Sequence, residues 1–178
     1  MPGKIVESGA AELAIGAIAN TDKVCRSSTS LVSEPIAYLY LWDDSTLDCT
    51  ATGNWYHYHF KNAAVFKVGF THSEGGASPE QITVDGSGYY LITVSYCCLT
   101  GNFYIVHVTD DGTEIPGSQL PAYRAGKQQA CVTFFAYIEA GSVIVVEFGA
   151  ATAGGDIVPE DTGLGDGKAV SLTMVKIF

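Results

Sequence analysis

The residues able to do chemistry in this chain are few and scattered. His57 and His59 flank a tyrosine in His57-Tyr58-His59-Phe60, so on a strand both imidazoles project from one face, spaced to share a metal ion. No carboxylate follows a few residues on to join such a pair, since Ala63 and Ala64 stand there. The stretch therefore predicts aromatic-flanked surface or interface histidines and no metal. His72 and His107 complete the histidines, and no GxSxG elbow sets a nucleophile beside any of the four. Acidic residues gather at Asp43-Asp44 with Asp48, at Asp110-Asp111, and at Glu160-Asp161 with Asp166. The Asp156–Asp166 loop offers oxygen ligands of the kind calcium takes, but its spacing matches no calcium-loop motif, and Asp beside Gly is ordinary turn chemistry. No cofactor is expected, calcium at that loop being the minority alternative. Five cysteines, Cys25, Cys49, Cys97, Cys98 and Cys131, are an odd number, so at least one has no intrachain partner. Cys97 and Cys98 are adjacent on a predicted strand and point to opposite faces. Thiols acting as small apolar residues are expected, with a Cys25–Cys49 disulfide as the alternative.

The elements that position these residues belong to a chain of 178 residues, 47% apolar and 16% charged, with a formal net charge of −10. That composition fits a folded domain and argues against disorder. Nine basic residues against nineteen acidic ones argue against a nucleic-acid partner and against an anionic membrane surface. Met1 to Asn20 does not read as a secretory leader, and apolar stretches such as Ile36 to Trp42 fall far below the ~20 residues of a membrane span.

Two textures divide the chain. Residues 1–60 read as an N-terminal extension or anchoring region, and residues 61–178 as the main domain. Ala10 to Ala19 is the best helical segment, weakened by Gly9 and Gly16. Strands are expected at Ala64–Thr71, Gln81–Val84, Tyr89–Leu99, Phe103–Thr109, Lys127–Ile138, Ser142–Phe148 and Ala169–Phe178. Turns fall at Asp85–Gly88, Thr100–Asn102, Asp110–Gly112 and Ala140-Gly141, with loops over Gly117–Gly126 and Gly149–Gly167. Strands at this spacing predict an all-β antiparallel sandwich of the jelly-roll type.

From residue 64 onward the order of features resembles the tumour-necrosis-factor-like jelly roll, which includes the globular heads of the first complement component. The likeness is carried by Asp85-Gly86-Ser87-Gly88-Tyr89-Tyr90-Leu91, by His107-Val108-Thr109-Asp110-Asp111-Gly112, by Val132 to Val146, and by the closing strand Ala169 to Phe178. Ser142 stands where the family has an acidic residue, and Asp-Gly replaces Asn-Gly, which places the chain nearer the viral and bacterial members. The resemblance implies a homotrimer packed through an aromatic-rich face. Tyr89, Tyr96, Tyr104, Phe135, Tyr137 and Phe178 are the trimer-interface candidates.

It further implies a structural virion protein without catalysis. The expected role is to decorate or cement a bacteriophage capsid, or to form a head fibre. Its partners would then be its own copies and the major capsid protein or another virion protein, with neither nucleic acid nor membrane. The aromatic stretches Ile36–Trp42 and Trp55–Phe60 supply capsid-contact candidates in Tyr38, Tyr40, Trp42 and Trp55, unless they add strands to the sandwich. The alternative is a trimeric, complement-head-like recognition module for a receptor or glycan.

Overall fold

The computed structural model describes residues 36–62, 64, 66–73, 76–98, 103–123, 128–150, 155–158 and 167–178. The segment Ala10–Ala19, Cys25 and residues 159–166 of the acidic loop lie outside them. The described residues fall in one compact unit, Pro35–Phe178. Its strands in chain order are β1 (Tyr38–Asp43), β2 (Leu47–Cys49), β3 (Trp55–His57), β4 (Phe66–Val68), β5 (Phe70–His72), β6 (Ile82–Val84) and β7 (Gly88–Cys98). They continue with β8 (Phe103–Asp110), β9 (Thr113–Glu114), β10 (Leu120–Tyr123), β11 (Gln128–Ile138), β12 (Val143–Ala150), β13 (Gly155–Ile157) and β14 (Val170–Lys176).

Every pairing is antiparallel. The first sheet runs β4-β1-β14-β7-β11, with β13 and β2 added at the Cys98 end of β7. The second runs β10-β8-β12-β6-β5, with β3 on β12 and β9 on β8. Strands distant in sequence sit side by side, β1 against β14 and β7 between β14 and β11, as a jelly roll requires. Alternate residues of the first sheet, among them Leu39, Leu41, Ile92, Val94, Leu172 and Met174, turn inward. They meet Val106, Val108, Ile144, Val146 and Phe148 of the second in one core. The sandwich expected from the strand spacing is the architecture observed.

Several boundaries differ from the sequence reading, each for a physical reason. The strand expected over Ala64–Thr71 is two strands in two different sheets. Gly69, at φ 76°, turns the chain between them, and a Cβ there would lie 2.7 Å from the Ala37 Cβ. The Gly117–Gly126 loop contains β10, an edge strand whose Pro121 interrupts no central ladder. The Gly149–Gly167 loop contains the end of β12 and β13, which pairs with β2. Residues 38–57, read with the N-terminal region, contribute β1 to the first sheet and β3 to the second. The alternation of Tyr38–Asp43, with Leu39, Leu41 and Asp43 buried, is that of a sheet strand.

Candidate interaction surface

The outward face of the first sheet can be read row by row from its register. Val68, Tyr38, Val175, Leu91 and Phe135 stand opposite one another across five strands. Beyond that row, at the same end, Tyr89 faces Tyr137, their rings edge-to-face at 5.2 Å. On the other side the next row is Phe66, Tyr40, Thr173, Thr93 and Thr133, with the hydroxyls of Thr93 and Thr133 3.0 Å apart. Then come Trp42, Ser171, Ser95 and Cys131. The face grades from aromatic to hydroxyl-bearing along the strands, and none of these residues is charged.

The aromatic end lies open. Tyr89 is 52% exposed, Phe135 66%, Tyr137 50% and Phe178 79%, and Ile36, Tyr38, Phe66 and Ile177 are exposed beside them. The first four rings alone present roughly 500 Å² of apolar surface, the upper end of what a monomer leaves uncovered.

Four of the trimer-interface candidates are thus brought together at this end. Tyr96 is not among them: at 2% exposure it turns into the core, edge-to-face with Phe148 at 5.1 Å. Strand parity puts Tyr89 and Tyr96 on opposite sides of β7, and only the packed sandwich says which side is which. Tyr104 lies on β8, in the other sheet, and its side chain is outside the described residues. Of the capsid-contact candidates, Tyr38, Tyr40 and Trp42 share the outer face of the first sheet with the trimer candidates. Trp55 sits on the second sheet, away from them.

On the second sheet Trp55 covers a network that sequence reasoning missed. Its indole stacks on the His107 ring, 3.7 Å between centroids and 11° from parallel. His107 Nδ1 lies 3.1 Å from Glu114 Oε2, and its Nε2 lies 2.5 Å from Glu147 Oε2. His57 Nε2 reaches the other oxygen of the same carboxylate at 2.9 Å. The register explains the cluster, since Glu147 is the direct cross-strand neighbour of both His57 and His107. His59 instead faces Glu80 at 3.7 Å, so the two histidines of the HYHF stretch go to different carboxylates. Among the described residues no group of three or more His, Cys, Asp or Glu is placed to hold a metal ion. Cys49, Cys97, Cys98 and Cys131 are thiols and none is in a disulfide.

Behind the surface, two buried polar groups secure the segment after β1. The Asp43 carboxylate accepts backbone N–H bonds from Ser45 and Lys61 at 2.6 Å and from Asn62 at 3.2 Å. Tyr58, packed among Phe60 and Phe148, donates its hydroxyl to the Ser45 carbonyl at 2.9 Å. Burial, and then the negative charges of Asp43 and Asp44, push the Tyr58 phenol far above its ordinary range.

No family model matches the chain, and no curated protein is similar to it in sequence. Its fold does match solved structures. Murine APRIL at pH 5.0 superimposes with a TM-score of 0.51 at 14% identity, over 80% of this chain and 99% of that one. At pH 8.0 the same protein gives 0.52 at 16% identity, again over 80% and 99%. PRD1 vertex protein P5 gives 0.51 at 17% identity, over 80% of this chain and 97% of that one. The sandwich shares its fold with these structures, the fold that the resemblance to tumour-necrosis-factor-like jelly rolls implied.

Proposed function

We propose that the protein is a structural component of a virus particle, a homotrimeric jelly roll that decorates or cements a bacteriophage capsid and catalyses no reaction. The observation that carries the assembly is the aromatic end of the outer face of the first sheet, where Tyr89, Phe135, Tyr137 and Phe178 are exposed. Copies with a net charge of −10 repel one another. Among the described residues the rows at this aromatic end carry no acidic side chain, so a second copy can approach it without like charges meeting on this side. Covering the exposed rings supplies the driving force, at about 25 cal/mol for each Å² of apolar area buried. A patch on one copy that meets a different patch on the next closes into a ring when the rotation allows, and threefold closure is the symmetry proposed.

The viral setting is supported by the likeness in fold to PRD1 vertex protein P5. Tyr38, Tyr40 and Trp42 extend the same face, and Trp55 offers a separate aromatic contact on the opposite sheet. The experiment is a measurement of mass in solution by light scattering or sedimentation. A particle of three 18.8 kDa chains is expected, together with co-sedimentation of that particle with capsids. A monomer at micromolar concentration, unable to bind capsids, overturns the reading.

A further inference from the structure

At the hydroxyl-bearing end of the same face, Tyr40, Ser95, Gln129, Lys168 and Ser171 surround a depression of about 260 Å³. We propose that this depression is a binding site for a carboxylated sugar of monosaccharide size. The volume lies just under the ~300–1,000 Å³ of pockets that hold drug-sized molecules, which suits a single ring.

Three features point to the ligand. The first is an ammonium group held against aromatic rings. Lys168 Nζ bonds to the Tyr40 hydroxyl and lies over the rings of Tyr40 and Trp42, 4.8 and 5.6 Å from their centroids. No carboxylate among the described residues pairs with it, although the chain has nineteen acidic residues against nine basic ones. A carboxylate entering here meets a cation held in place by aromatic faces. The second feature is the pair of hydroxyls of Ser95 and Ser171, set opposite each other by register. Each both donates and accepts, as sugar hydroxyls do. The third is the Tyr40 ring, an apolar wall with a polar tip, suited to the C–H face of a pyranose. One chain supplies every group, so the site does not rest on the threefold reading.

The test is calorimetric titration of the full chain with D-glucuronate, D-glucose and acetate, repeated on Lys168→Met and Ser95→Ala. Saturable glucuronate binding is expected, about tenfold or more tighter than glucose or acetate. Lys168→Met should lose about tenfold in affinity and Ser95→Ala severalfold, with the thermal midpoint of each unchanged. Absence of saturable glucuronate binding overturns the proposal, as does unaltered affinity in Lys168→Met. Acetate binding as tightly as glucuronate overturns the sugar assignment. The comparison of ligands on the unmodified chain decides the matter even where a variant fails to fold.

Discussion

Asp43 is a fully buried carboxylate that satisfies three backbone N–H groups, and it does so at the point where the chain leaves β1. Removing it strands those donors in a dry site, where hydrogen bonds to a charged group are worth about 1.5–3 kcal/mol. Asp43→Ala is therefore expected to lower stability by about 2–3 kcal/mol in urea unfolding at neutral pH, with the m-value unchanged. Tyr58 carries a second expectation. Its phenol is held protonated in the folded chain by burial and the neighbouring carboxylates, whereas the unfolded chain gives up that proton near pH 10. A pKa raised by folding makes the contribution complete below about pH 10 and erodes it above, by ~1.4 kcal/mol per pH unit. The wild type should lose about 1 kcal/mol more stability than Tyr58→Phe between pH 10 and pH 11, where the unfolded phenol is only partly ionised, read from urea midpoints at the two pH values. Equal losses would show that this phenol is not the titrating group.

Among the elements, β14 and the end that follows it depend on a close approach to β7. Tyr89 donates its N–H to the Phe178 carbonyl at 3.0 Å, and Ile177 donates to the Tyr89 carbonyl at 2.7 Å. A Cβ on Gly88 would lie 2.3 Å from that Phe178 carbonyl oxygen and 2.5 Å from the Lys176 Cε. Gly88 is thus required by contact, whereas Gly141, at φ 89°, is required by backbone conformation. Gly88→Ala should displace the end of β14 and cost about 1–3 kcal/mol, the range for overpacking. Gly86→Ala, whose new methyl would meet nothing nearer than the Lys176 Nζ at 3.8 Å, serves as the control and should unfold at the wild-type midpoint. Hydrogen exchange at the Tyr89 and Ile177 amides checks that the loss is local to this end.

Across the whole molecule, the two sheets divide their outer faces by chemistry. The second sheet carries the His57, His107, Glu114 and Glu147 network under Trp55. The first carries aromatic rings and hydroxyls without charge along its rows. Phe135 stands near the centre of the exposed rings, opposite Leu91 and beside Tyr137 in sequence. Phe135→Arg places a cation in a contact that must become dry, and the charge has no carboxylate in that row to meet. The variant is expected to fold, because the side chain is 66% exposed, and to sediment as a monomer at concentrations where the proposed trimer forms in the unmodified chain. A variant that keeps the wild-type mass would place the contact elsewhere.

What the sequence determined by itself is local and periodic. Alternating apolar residues and Gly and Asp turns such as Asp111-Gly112 sufficed for the all-β class and most strand positions. These properties depend on neighbours one to four residues away. Only the tertiary structure decided which side of each strand became core, so that Tyr89 faces out and Tyr96 in. It alone brought Glu147 between His57 and His107, residues 40 or more positions apart along the chain. It also recruited residues 38–57 into both sheets and set Lys168 over Tyr40 and Trp42. The reason is common to all of these. Strand pairing joins segments far apart in sequence, and register, which a one-residue slip would invert, exists only once those segments have met.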